Sequence, residues 1–257
     1  MQLDIEQRRS QNYMGLLFWM LQESWSTGGW GSIEYTSPSA AGTLRGGRWK
    51  PTHNWLESHL FRDVMSACGY IGRSKTFDCF ISNASPLSTF EGTLSITAVD
   101  LESGNELLWA SLPVNVSIGP GALSWVSPSA SLPNASTTIL VATLLDVNGT
   151  SSDEHIVHLT APVHMLVPKA NVSAVVASQP NLDGTVNITV SSNTVALFVT
   201  LTSSAPGRFS DNAFLYRPLS SPNRIITWIP FEMGNATEDI DLLQKTLRVD
   251  DMSDYLS

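Results

Sequence analysis

The chain has 257 residues, 42% of them hydrophobic and only 14% charged, so it can bury real cores and is too apolar to be intrinsically disordered. A formal charge of -9 and a pI near 4.9 leave no basic footprint for nucleic acid or for an anionic membrane face. No apolar run approaches the roughly 18 residues of a membrane helix, and the start, MQLDIEQRRSQNY, lacks the apolar core of a secretory signal.

Taken in order, the first 62 residues read as helix, buried strand, long loop and helix. Asp4 and Arg8 stand at i, i+4 spacing, and MGLLFWML, Met14 to Leu21, is apolar on both alternating faces, as a strand covered on both sides must be. A glycine- and proline-bearing loop spans Ser37 to Pro51. THNWLESHLFRDV then sets Leu56, Leu60 and Val64 on one helical face.

From 63 to 168 the hydrophobic period becomes two. Strands are expected at Asp63 to Tyr70, Thr76 to Asn83, Gly92 to Leu101, Leu107 to Ile118, Ala122 to Val126, Thr137 to Val147 and His155 to Leu159, punctuated by SPLS, ESGN, GPG, SASLPN and VNGTSSDE. Seven short strands in about 100 residues describe an immunoglobulin-like sandwich. A second sandwich follows over 169–257, with strands at Val172 to Ala177, Thr185 to Val190, Val195 to Leu201, Phe214 to Arg217, Ile225 to Ile229 and Leu247 to Asp250. The fold class is therefore mainly β, two sandwiches behind a short helical region.

That first region cannot stand alone. A strand apolar on both faces needs a neighbour on each side and a layer on each face, and 62 residues supply only one strand and two helices. Helix, strand, loop, helix is what the last unit of a (β/α)₈ barrel leaves when the first seven are removed. The chain reads as the tail of a longer protein.

Seven N-x-S/T acceptor triplets occur, at Asn83, Asn115, Asn134, Asn148, Asn171, Asn187 and Asn235, where chance supplies roughly two or three. In LPVNVSI and GTVNITV the flanking residues alternate, which puts Asn115 and Asn187 on the solvent face of a strand. The pattern favours a lysosomal, vacuolar or extracellular location reached by the secretory route, with the signal outside this sequence. Cys68 and Cys79 lie on neighbouring predicted strands, as either a disulfide or two buried thiols. No metal site is expected: His155 and His158 point to opposite faces of a strand, and His53 and His59 are not at the i, i+4 spacing of a zinc helix. Phosphate loops, G-x-S-x-G elbows and cysteine clusters do not occur in the sequence.

The opening region resembles the end of the catalytic barrel in β-mannosidases of glycoside hydrolase family 2, whose eighth strand reads close to G-x-L-x-W-Q-L-N-[DE]-x-W. Matching residues are Gly15, Leu17, Trp19, Leu21, Glu23, Trp25, the stretch TGGWGSIEY from Thr27 to Tyr35, and Arg48, Trp49 and Lys50. GRFSDNAFL, Gly207 to Leu215, is similar to the motif of the last sandwich in these enzymes. The resemblance covers essentially the whole chain. It implies a retaining exo-glycosidase acting on terminal non-reducing β-mannose, without a cofactor, with a β-mannoside oligosaccharide as substrate.

A pyranose has an apolar C–H face and a hydroxyl rim, so an aromatic platform with a few fixed polar groups suits it. By resemblance Trp19 is the platform, Trp25 and Trp30 wall the site, and Glu23 accepts from substrate hydroxyls. Met20 and Gln22 stand where the family has glutamine and asparagine, and Ser26 where proline is common. Retaining hydrolysis needs two carboxylates about 5–5.5 Å apart; the family carries them on the fourth and seventh strands, and no position here corresponds to either. Pairing Glu23 with Glu34 does not replace them, since Glu34 matches the [DE]-Y beside the tryptophan loop, where a structural role is natural. The isolated chain is thus expected to be inactive, part of an enzyme whose missing barrel and accessory domains precede it. A non-catalytic carbohydrate-binding or interaction module of two sandwiches is the alternative.

Overall fold

The computed structural model describes residues 17–21, 31–34, 47–71, 76–119, 122–231 and 236–256. The chain divides into two compact units, one containing His59–Val167 and the other Phe18–Ser58 with Pro168–Ser257.

In the first unit, seven strands form two antiparallel sheets. β3 (Val64–Ile71), β4 (Thr76–Asn83) and β7 (Ala122–Val126) make one, in the order β3-β4-β7; β5 (Phe90–Asp100), β6 (Glu106–Val116), β8 (Thr138–Asp146) and β9 (Ser151–His158) make the other, in the order β6-β5-β8-β9. The numbers β1 and β2 belong to Ile33–Glu34 and Arg48–Trp49 of the second unit. Alternation builds the core: Phe77, Cys79 and Ile81 of β4 meet Leu94 and Ile96 of β5 and Leu140, Ala142 and Leu144 of β8. The helical turns at Pro51–Trp55 (α1) and Leu56–Leu60, the latter π-helical, stop short of the helix expected from the sequence, because Val64 already pairs with Asn83 in the β3–β4 ladder.

Cys68 and Cys79 are directly opposite in that ladder and form a disulfide. Both are buried. Closing this loop restricts the unfolded chain, a contribution of about 3 kcal/mol.

Asn83 also ends β4, and it is fully buried. Its Nδ2 donates to the carbonyls of Ser88, at 2.8 Å, and Ser117, at 3.1 Å, while its Oδ1 accepts from the Ser85 amide at 3.0 Å. Asn83 carries one of the acceptor triplets, and the amide nitrogen that a sugar would occupy ties the β4–β5 turn to the end of β6.

A polar seam joins the two edge strands β3 and β9. Asp153 and His155 lie opposite Leu144 and Ala142, hence on the inner face. Asp153 accepts from Ser66 N at 2.7 Å and Ser66 Oγ at 3.1 Å, and His155 Nδ1 accepts from Cys68 N at 3.0 Å. Two edge amides of β3 are thereby satisfied by side chains. Loss of hydration, reinforced by His158 and His59, holds the His155 pKa down at about 3. Burial raises that of Asp153 against the opposing Ser66 N–H.

The second unit places β10 (Ser173–Val176), β11 (Val186–Ser191), β15 (Arg224–Pro230) and β13 (Gly207–Phe209) in one sheet, in the order β10-β11-β15-β13. β14 (Phe214–Tyr216), β12 (Ala196–Thr202) and β16 (Arg248–Asp250) make the other, in the order β14-β12-β16. Val186, Ile188 and Val190 face a core shared with Val199, Leu201, Phe214, Tyr216 and Trp228. The sequence reading missed two elements here. One is β13; the other is helix α2 (Ala236–Thr246), whose Ile240 and Leu243 enter the core. No helix among the described residues is long and apolar enough to cross a membrane.

The seam makes a pH prediction. An ordinary histidine titrates near 6.5 and His155 in the fold near 3, so across that window the unfolded chain takes up the proton first and stability falls as pH falls. His155→Asn keeps an acceptor at the Nδ1 position and abolishes the titration. His158, lowered by burial, and Asp153 contribute slopes of their own that both proteins share. Urea denaturation between pH 6.5 and 4 should give a shallower pH dependence for His155→Asn, by up to about 1.4 kcal/mol per pH unit; identical slopes would contradict the assignment.

Candidate functional site

Of the residues assigned to sugar recognition, Trp19 is described; Glu23, Trp25 and Trp30 lie outside the described residues. Leu17, Trp19 and Leu21 are 99%, 78% and 54% exposed. Residues 17–21 of the run read as a doubly covered strand form no ladder, and Phe18 and Met20 between the exposed side chains are half-buried. Backbone bonds tie this segment to 31–34: Ser32 N donates to Met20 O at 3.0 Å and Ile33 N to Leu21 O at 2.9 Å. The Ser32 hydroxyl adds a bond to Met20 O at 3.1 Å. Trp19 is thus presented on a short tethered segment with its indole open to solvent.

That tether continues into the β1–β2 pair, where Ile33 faces Trp49 and Glu34 faces Arg48. Gly47 is required beside it, since a Cβ there would lie 2.0 Å from the Glu34 carbonyl oxygen. The Glu34 carboxylate receives Arg48 Nε at 2.6 Å and has Lys50 Nζ at 3.9 Å. A carboxylate that receives a guanidinium is held in one orientation.

Arg48 also donates from Nη1 to the Ser203 carbonyl at 3.1 Å, far along the chain. Two further contacts join the same two regions, and His53 packs on Trp49 within the first of them. Arg208 stacks its guanidinium 4.7 Å from the centroid of the Trp49 ring. Asn54, buried, donates to the Phe209 carbonyl at 2.6 Å. His53 meets Trp49 edge-on at 4.3 Å. The RWK stretch and the GRFSDNAFL stretch, quoted separately from the sequence, therefore touch. Between them lies a cavity of about 500 Å³, bounded by residues that include Glu34, Arg48, Trp49, Ser204, Trp228 and Thr246.

The rest of GRFSDNAFL is structural chemistry. A Cβ at Gly207 would fall 2.7 Å from the Trp228 ring, so only glycine lets β13 lie on β15 here. Ser210 pairs with Thr227 through both its amide and its hydroxyl, at 2.7 and 3.0 Å. Asp211 pairs with Arg224, whose guanidinium also stacks on Phe214 at 4.2 Å. Asn212 is fully buried, and its side chain binds Leu201 N and Leu201 O, both at 2.8 Å. It replaces a missing strand partner for β12. The sequence marks this stretch as a polar, turn-rich corner; which polar atoms it would satisfy depends on residues far away in the chain.

The remaining acceptor triplets are sorted by position. Asn115, Asn134, Asn148 and Asn171 are exposed; Asn187 is half-buried, with its Oδ1 accepting from Asn181 Nδ2 at 3.2 Å; Asn235 lies outside the described residues.

Comparison with known proteins gives one consistent result. Residues 167–255 match the mannosidase Ig-fold domain family. A β-mannosidase of Bos taurus is 26% identical over 251 residues, covering 94% of this chain and 26% of the relative; one of Capra hircus is 25% identical with the same coverage. The chain thus spans about a quarter of the length of the curated relatives it matches. Among solved structures, the β-D-mannosidase of Dictyoglomus thermophilum superimposes with a TM-score of 0.68 at 15% identity, over 98% of this chain and 28% of that one. The exo-chitosanase CsxA of Amycolatopsis orientalis does so with 0.57 at 16%, over 96% and 32%. These two share the fold.

Asn212 supplies the test of the motif's role. Asn212→Ala leaves a buried N–H and a buried C=O of Leu201 without partners, and the fold should lose about 2–4 kcal/mol in urea denaturation. A loss below about 0.5 kcal/mol would mean that the side chain is not the partner of β12.

Proposed function

We propose that this chain, which corresponds to a C-terminal part of a β-mannosidase and is related to glycoside hydrolases, is the non-catalytic closing portion of a retaining exo-β-mannosidase that travels the secretory route. On this reading residues 1–62 are the end of the catalytic barrel, 63–168 and 169–257 are two Ig-like sandwiches, and the nucleophile and the acid/base are contributed by sequence upstream of the eighth barrel strand. Trp19 lies against the apolar face of the terminal mannose, with Trp25, Trp30 and Glu23 around it. Hydrolysis then proceeds by attack of one carboxylate on the anomeric carbon and protonation of the leaving oxygen by the other, followed by water on the glycosyl-enzyme.

One observation carries this reading: the two stretches that resemble the family, 48–50 and 207–215, meet through Arg208 stacked on Trp49, with Arg48 bonded nearby to Ser203 O. Such contacts give the sandwich a mechanical task. It fixes the segments that lead back through Glu34 and Ser32 to the Trp19 peptide. Precise placement of an aromatic wall matters because loss of alignment at a reacting centre costs rate steeply.

The purified chain should show no turnover of an aryl β-mannoside. A longer native protein that contains it should hydrolyse that substrate with retention, and Trp19→Ala in the longer protein should lower kcat/KM at least about 100-fold, a loss of about 2.7 kcal/mol of transition-state binding. Turnover by the chain alone that vanishes in Glu23→Gln would overturn the reading, as would a longer protein inactive on β-mannosides.

A further inference from the structure

Two independent features concern the compartment in which this chain folds. Cys68 and Cys79 form a disulfide in the core of the first sandwich, and disulfides of this kind persist in oxidising compartments. The same compartments attach oligosaccharides to asparagine in N-x-S/T. The fold then separates the acceptor triplets by geometry. Asn115 is exposed on β6, an edge strand of its sheet, and its Nδ2 donates to the exposed carboxylate of Glu91 at 3.2 Å. Asn134 is exposed in the loop after β7, where its Oδ1 is held by Ser136 N and Oγ at 3.1 and 3.0 Å. Asn148 is exposed at the tip of the β8–β9 hairpin, where Asp146 Oδ1 takes its backbone amide at 2.9 Å. Asn171 is exposed just before β10, and its backbone amide is anchored on Asn193 Oδ1 at 2.8 Å.

We propose that the chain carries asparagine-linked oligosaccharides at Asn115, Asn134, Asn148 and Asn171, and that Asn83 stays unmodified in the folded protein. In each transfer a bond forms between Nδ2 and C1 of the reducing-end sugar. The bond from that C1 to a polyisoprenyl pyrophosphate donor breaks, the pyrophosphate leaves with the electron pair, and Nδ2 gives up one proton. The four acceptors are exposed residues on a strand edge, a loop, a hairpin tip and a strand start, and at Asn115 Nδ2 donates to the exposed Glu91 carboxylate at 3.2 Å. At Asn83 the same nitrogen is buried against the carbonyls of Ser88 and Ser117, and a sugar there would take one of its two N–H donors and displace the end of β6. At Asn115 the glycan has a second effect. Among the described residues β6 is an edge strand and exposes Leu107 and Leu108 at 73% and 60%, and a bulky hydrophilic chain on that edge opposes strand-to-strand association.

The inference rests on the secretory-route part of the proposed function and not on its hydrolase part. The test has two arms. In the first, the full chain is expressed behind a cleavable leader in eukaryotic cells, and the secreted protein is mapped by mass spectrometry with and without a peptide N-glycosidase. Glycan is expected on the four named asparagines and not on Asn83. Ser117→Ala, Ser136→Ala, Thr150→Ala and Ser173→Ala should each remove one glycan while leaving its asparagine in place. If secretion fails, translation with microsomes reads the same four variants as loss of one endoglycosidase-sensitive increment each. In the second arm, the protein from its natural source is mapped in the same way. Any of the four bare in the secreted protein, glycan on Asn83 of the folded protein, variants with unchanged increments, or a bare natural protein would overturn the proposal. Glycans present with no β-mannoside hydrolysis by the longer protein would leave it standing and remove only the hydrolase reading.

Discussion

A guanidinium stacked on an indole, Arg208 on Trp49, joins segments that the sequence separates by more than 150 residues. The remaining geometry of this unit follows from that contact and the two hydrogen bonds beside it, Arg48 to Ser203 O and Asn54 to Phe209 O. β13 is only three residues long and could not hold a distant segment by ladder pairing alone. A cation–π contact partly withdrawn from water, with a buried amide donating to the next carbonyl, gives directional attachment where hydrophobic burial gives none. From Trp49 the path runs along β2 to Glu34, through Ser32 to the Met20 carbonyl, and so to the Trp19 peptide.

The same economy of polar atoms recurs in both sandwiches. Asn212 completes β12, Asn83 ties a turn to a strand end, and Asp153 with His155 satisfies the free amides of β3. In each case a short polar side chain stands in for a missing strand. Buried amides without partners are expensive, so these positions are fixed by the backbone groups they serve. Two of the asparagines therefore have structural tasks, although one carries the triplet of a glycan acceptor.

Much of the fold is legible in the alternation of residues. Thr76–Asn83 and Ala122–Val126 fall where the period of two puts them, because each has a face against a core and turn residues at its ends. β13 escapes detection since its strand character depends on Gly207 lying on Trp228, a tertiary fact. α2 escapes for another reason. ATEDIDLLQKT is mostly polar, and its helical signal is confined to the acidic first turn and to Ile240 and Leu243 at i, i+3 spacing. At the site, the sequence marks Trp19 and the motif ends but not their junction. Nothing local in RWK or GRF states that the arginine of one stacks on the tryptophan of the other. At Asn83 the triplet is local and the burial of its side chain is not.

A double-mutant cycle on Trp49→Ala and Arg208→Ala, read by urea denaturation of the chain, tests the joining contact most directly. A stacked pair predicts a coupling energy of about 0.5–2 kcal/mol, with the double variant losing less than the sum of the single ones. Strict additivity, within about 0.3 kcal/mol, would show that the two stretches do not hold each other. The path from the sandwich to Trp19 would then have no anchor at that point.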